Sequence, residues 1–176
     1  MDLCENTIDT KEIFLGRIIK VRVDTVRLPD GGHSTREVVE HAGAVAVVAV
    51  DNDNNIIMVR QYRKPVERVL FEIPAGTMEQ GEDPLVCAQR ELREETGFTA
   101  LHWEKILSYY SAPGFTDEHL HLYLAAGLTG GEIELDEDEF VETIRLPLPE
   151  AYRMIFEGKI CDGKSIIGIQ YAVGLG

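Results

Sequence analysis

The chain has 176 residues, 44% of them hydrophobic, which suits one domain with a proper core and is too short for several. Its 31 acidic and 17 basic residues leave a formal charge of −14, so a nucleic-acid polymer is a poor partner and an anionic substrate needs local positive charge from bound cations or a few arginines. Cys4, Cys87 and Cys161 are odd in number and lack CxxC spacing, which argues against a disulfide framework or a zinc site. No apolar run is long enough to span a bilayer or to serve as a signal segment, so the expected compartment is the cytoplasm, with no membrane partner.

Residues up to about 41 read as a β-rich extension. Ile18 to Val26 largely alternates, with Ile19, Val21 and Val23 as expected inward residues. Pro29-Asp30-Gly31-Gly32 is a turn into a second strand containing Arg36, Val38 and Val39. Ala44 to Val50 is wholly apolar, as a strand buried on both faces would be, and Asp51-Asn52-Asp53-Asn54 turns it into a strand over Ile56 to Gln61. Arg60, Arg63 and Lys64 follow as a compact basic cluster, and Val69 to Ile73 is a further strand.

Next comes a helix. Asp83 can cap free backbone N–H groups, Pro84 is tolerated at the first helical position, and Gly97 takes the left-handed conformation at the end. Leu85, Ala88 and Leu92 form its apolar face. Glu91, Glu94 and Glu95 sit at i, i+3 and i+4 and converge on a neighbouring face. Like charges that close repel, which either a hard divalent cation held by oxygen ligands, Mg²⁺ or Mn²⁺, or solvent together with Arg90 and Arg93 would offset.

Ile106 to Tyr110 and Leu120 to Leu124 read as strands. In the second, Leu120, Leu122 and Leu124 alternate with His121 and Tyr123, which predicts one buried and one wetter face. His119 and His121 lack a third nitrogen or sulfur ligand at metal spacing and read as strand-face residues. Glu132 to Glu142 is acidic and by composition a solvated loop. Phe140 to Leu146 is a last strand, with helices expected over Pro149 to Glu157 and Lys164 to Val173.

The run from Gly76 to Phe98 has a fixed grammar: Gly76, five residues, Glu82, seven residues, Arg90-Glu91-Leu92, one residue, Glu94-Glu95, one residue, Gly97-Phe98. Every specified position of the Nudix box is filled, and the chain resembles the Nudix hydrolases, which cleave a nucleoside diphosphate linked to another moiety. Pro113, sixteen places after Gly97 in the segment Ser111 to Glu118, resembles the ADP-ribose pyrophosphatase branch. On its own, Pro113-Gly114 would be simply a turn.

The resemblance implies an α/β/α sandwich around a mixed sheet, with the N-terminal β extension over residues 1–41 and the hydrolase domain over 42–176. It implies that Glu91 and Glu95 are the principal metal ligands, with Glu94 and the carbonyl of Ala75 as further ones. Gly76, Glu82 and Arg90 are supporting residues by the same token, Arg90 orienting the carboxylates through charge-assisted bonds. Arg36, Arg63 and Glu118 match substrate-contacting positions, and guanidinium forks suit phosphate oxygens. A base for the attacking water is expected in the acidic loop, Glu139 first and Glu137 second, with Glu94 a further catalytic candidate. The extension is expected to join a homodimer and enclose the adenosine end, although its residues alone fit a plain hairpin equally well. The expected reaction is Mg²⁺-dependent hydrolysis of ADP-ribose to AMP and ribose 5-phosphate. The alternatives are the same chemistry on another nucleotide sugar or nucleoside diphosphate derivative, or a sensor that binds without cleaving.

Overall fold

The computed structural model describes residues 2–130 and 140–174. Its residues gather into two compact units, one of Met1–Gly43 with Tyr109–Leu120, the other of Ala44–Ser108 with His121–Gly176. The segment around Pro113 thus groups with the N-terminal unit. Among the described residues no helix is long and apolar enough to cross a membrane.

The first unit carries a three-stranded antiparallel sheet of β1 (Asn6–Leu15), β2 (Ile19–Arg27) and β3 (His33–His41), in that order. A parallel bridge joins Val39 to Thr116, and the backbone N–H of His41 donates to Asp117 at 2.9 Å. The inward residues of β2 differ from the expectation. Asp24 and Val26 are the buried ones, whereas Ile19 is 37% exposed. Asp24 tolerates burial because Thr10 and Arg22 both donate to its carboxylate. Strand β1 carries no burial pattern at all, since every one of its residues is exposed, Ile8, Ile13, Phe14 and Leu15 included.

In the second unit the main path of the mixed seven-stranded sheet runs β10 (Val141–Pro147), β5 (Asn55–Arg63), β4 (Ala44–Val50), β9 (His119–Gly130), β8 (Phe98–Tyr110). Two short strands lie off that path, β6 (Arg68–Glu72) on β5 and β7 (Ala75–Thr77) on β4. The helices are α1 (Pro84–Thr96), α2 (Leu148–Phe156) and α3 (Gly163–Gly174).

Strand alternation assigns the layers. Val45, Val47 and Ala49 of β4 share one core with Ile57 and with Cys87, Ala88 and Leu92 of α1. Val48 points the other way, where α3 presses so closely that a Cβ at Gly168 would stand 2.7 Å from Val48 Cγ2 and 3.2 Å from Ile73 Cδ1. The sheet is therefore sandwiched between α1 and α3, as the wholly apolar Ala44 to Val50 run requires. The wetter face expected for β9 is kept only at its start, where His121 is half-buried, and is lost further on for the same reason. Leu122 lies on the α3 side, Tyr123 and Ala125 join the α1 core, and all three are buried.

Candidate active site

Helix α1 begins and ends as its sequence dictates. Asp83 Oδ1 accepts from the N–H groups of Leu85 (2.9 Å) and Val86 (3.2 Å), and Gly97 closes the helix at φ 71°. This fixes which face each box glutamate occupies.

Arg90 is the hub of that face. Its Nε and NH2 donate to the two oxygens of Glu82, each at 3.1 Å, while NH1 donates to both Glu91 Oε1 (2.7 Å) and Glu94 Oε2 (3.0 Å). One guanidinium thus bridges three carboxylates, partly offsetting the repulsion that their spacing creates. The Arg90 hydrogen bonds, outweighing burial and aided by the Glu79 N–H, hold Glu82 at a pKa of about 2. Glu82 in turn heads the causes that raise Arg90 further. Cys87, whose Sγ lies 3.3 Å from Arg90 NH2, is pushed up to about 12 by burial first and the Glu82 hydrogen bond second, so it stays a thiol.

Glu95 faces inward and is only 4% exposed. Its Oε2 accepts from the N–H of Ala75 at 3.0 Å, and its backbone carbonyl accepts from Thr143 Oγ1 of β10 at 2.9 Å. Strand β7, pairing Ala75 with Ala46 and Gly76 with Val45, holds that backbone in place. Gly76 is required for space: a Cβ there would overlap the Glu91 carboxylate.

The arrangement brings together Ala75, Gly76, Glu82, Arg90, Glu91, Glu94 and Glu95. Among the described residues no three acidic, His or Cys side chains are already gathered at ligand spacing. The reason is visible, since Glu91 and Glu94 both aim at Arg90 NH1. Two carboxylates focused on one positive charge, beside backbone that only glycine allows so near, form an all-oxygen set that fits a hard divalent cation.

Arg63 stands at the end of β5, and the geometry explains its orientation. Nε donates to Glu72 Oε1 at 2.8 Å and NH2 to Oε2 at 2.9 Å, a fork on a fork. Glu72 is 2% exposed and is also paired with Lys164, which reaches Asp162 at 3.1 Å. Burial disfavours the Glu72 anion, yet hydrogen bonds and charge from Arg63 and Lys164 prevail and its pKa is lowered. Glu95 is among the charges that raise Arg63. NH1 is the one Arg63 guanidinium nitrogen with no hydrogen-bond partner among the described residues. Sequence reasoning missed Glu72 and Lys164, because partners 92 residues apart leave no local signal.

Arg36 and Glu118 belong to the other unit. Arg36 is engaged by Glu5, to which Nε donates at 2.9 Å and NH2 also donates, and by Ser34 Oγ and the Thr35 carbonyl at NH1. Glu118 lies 3.9 Å from His41 Nδ1. Glu137 and Glu139 lie outside the described residues.

A Nucleoside diphosphate sugar hydrolase N-terminal domain matches residues 5–39. Over 169 residues, 95% of this chain and 91% of the relative, the chain is 53% identical to a methanol dehydrogenase activator of Bacillus methanolicus. Over the same length and shares it is 48% identical to an ADP-ribose pyrophosphatase of Bacillus subtilis. A crystal structure of an ADP compounds hydrolase, 21% identical, superposes with a TM-score of 0.86 over 100% of this chain and 98% of the other, which shows the same fold. The NUDIX domain matches residues 40–166, and with the box carboxylates disposed around Arg90 and the Ala75-Gly76 backbone, the chain belongs to the Nudix hydrolase family.

Proposed function

We propose that the chain hydrolyses the diphosphate of ADP-ribose to AMP and ribose 5-phosphate with Mg²⁺, Mn²⁺ being able to substitute. The observation that carries this is the placing of Glu91 against Gly76 and of buried Glu95 on the Ala75 N–H, with Glu94 sharing Arg90 NH1 with Glu91. The relative named an ADP-ribose pyrophosphatase supports the choice of substrate. Product analysis over ADP-ribose, ADP-glucose, GDP-mannose, NADH and a nucleoside triphosphate tests it. Release of AMP from ADP-ribose in preference to the others is expected, and preference for another diphosphate overturns the substrate.

Nudix hydrolases generally need divalent metal ions. Glu91, Glu94, Glu95 and the Ala75 carbonyl are the proposed ligands, Glu91 and Glu94 becoming free as Arg90 turns wholly to Glu82. When bound, such a cation supplies charge neutralisation for the diphosphate and acidifies a coordinated water. Arg63, oriented by Glu72, contacts phosphate oxygen through NH1. Arg36 contacts phosphate or ribose, and Glu118 contacts substrate, after exchanging their present partners. Glu139 accepts the proton of the attacking water, with Glu137 second. The extension over residues 1–41 takes part in a homodimer, supported by the exposed Ile8, Ile13, Phe14 and Leu15 of β1.

The relative named a methanol dehydrogenase activator favours a second reading, in which the chain alters the turnover of an alcohol dehydrogenase. Addition of the chain to such an assay, with Glu95→Gln as control, tests it. Activation that survives in the variant would detach that effect from hydrolysis.

A further inference from the structure

Only two buried side-chain atoms among the described residues lack a hydrogen-bond partner, Arg60 Nε and Gln61 Oε1. Such orphans are uncommon, and each calls for an explanation. Arg60 has one: its guanidinium lies 5.6 Å from the centroid of the Phe71 ring, and NH1 donates to Glu142. Gln61 Oε1 has neither a ring nor an ion to explain it, and no described residue donates to it.

The position of Gln61 is informative. Alternation along β5 puts Ile57, Val59, Gln61 and Arg63 on one face, and Ile57 packs in the core with Ala88 and Leu92 of α1. Arg63, two residues on, feels the charge of Glu95, and its NH1 has no hydrogen-bond partner among the described residues. Val59, two residues back, pairs with Thr143, whose hydroxyl donates to the Glu95 backbone. Gln61 therefore stands between two strand positions that are both tied to Glu95, each about 7 Å away by strand rise.

We propose that Gln61 is a further residue of the reaction site, whose carboxamide turns out of its buried position so that its oxygen accepts a hydrogen bond from an O–H group beside the diphosphate. A ligand atom that faces this oxygen must be a donor, because phosphate oxygens are acceptors and would repel a carbonyl oxygen. Two sources share that chemistry, a sugar hydroxyl of the substrate and the attacking water. Arg63 meets the anionic oxygens and Gln61 the neutral donor next to them. This rests on the proposed nucleoside diphosphate hydrolysis.

The test replaces Gln61 by Met, close in shape and without the amide, and in parallel by Leu. Removing a buried acceptor that has no partner in the free protein should leave Tm unchanged or raise it. Activity should move the opposite way, with kcat/KM falling about tenfold or more, the loss expected for one hydrogen bond worth about 1.4 kcal/mol. A rise in KM that disappears with a deoxy-sugar substrate assigns the sugar hydroxyl, and a fall in kcat at constant KM assigns the water. Kinetic constants unchanged in both variants overturn the inference, as does a loss of activity that merely follows a fall in Tm. The comparison uses whichever nucleoside diphosphate the unsubstituted chain cleaves best, so a substrate other than ADP-ribose would refute the substrate reading without touching Gln61.

Discussion

Gly76 and Glu91 share a space that a single methyl group would fill: a Cβ at position 76 overlaps the Glu91 carboxylate. Their closeness is set by β7 pairing on β4 and by the register of α1. Gly76→Ala is therefore expected to displace Glu91 while the sheet and helix persist. Turnover should fall about 10- to 100-fold, the range seen when support for metal ligands is removed. Steady-state kinetics beside a circular dichroism melt measures both; full activity would mean that Glu91 has another place to go.

Arg90→Lys tests the hub. An ammonium cannot make the two-bond fork onto Glu82 that holds the Arg90 guanidinium in place once Glu91 and Glu94 turn to the metal. Metal affinity should weaken about 10- to 100-fold, with little loss of secondary structure. Calorimetric titration with Mn²⁺ reads this directly, and unchanged affinity would remove Arg90 from the role of orienting the carboxylates.

The Glu72 cluster predicts a pH dependence. Burial alone would raise its pKa, but Arg63 and Lys164 lower it below that of an ordinary glutamate. A depressed carboxylate contributes stability above its unfolded pKa and loses that contribution as pH falls through the folded one. The contribution is thus complete at neutral pH and declines below about 4.3, the ordinary Glu value. Glu72→Gln should cost about 2–3 kcal/mol at pH 7, less than a fully buried pair because the Arg63 side chain is 38% exposed. Denaturant melts at pH 7 and pH 3 should show the gap between wild type and variant narrowing in acid; a constant gap would contradict the linkage.

The close approach of α3 to the sheet gives a stability prediction. In an exposed helix Gly→Ala gains roughly 1 kcal/mol, but at Gly168 the new methyl meets Val48 and Ile73. Overpacking of this kind costs about 1–3 kcal/mol, so Gly168→Ala should lower Tm. A higher Tm would show that α3 can move outward cheaply.

What the sequence revealed depended on how local its physics was. Helix α1 was readable from Asp83-Pro84 and Gly97, and the double-sided burial of β4 from its unbroken apolar run, because both are properties of adjacent residues. Strand β1 was not seen as a separate strand, since both its faces are exposed and no alternation marks it. The second buried face of β9 was missed because Tyr123 and Ala125 are buried by α1, a partner that periodicity cannot name. The box residues could be listed in advance, but their grouping on Arg90, the anchoring of Arg63 by Glu72 and Lys164, and the orphaned Gln61 oxygen arise from pairings across the fold.

The most direct test compares the wild-type chain with Glu95→Gln on ADP-ribose and Mg²⁺, following AMP and ribose 5-phosphate by chromatography. Gln keeps an oxygen for the Ala75 N–H but lacks the charge, so the fold should hold. Stoichiometric release of both products by the wild type, with most turnover lost in the variant at a similar Tm, is the predicted result. Equal rates in the two proteins, or no cleavage of ADP-ribose by the wild type, would contradict the account.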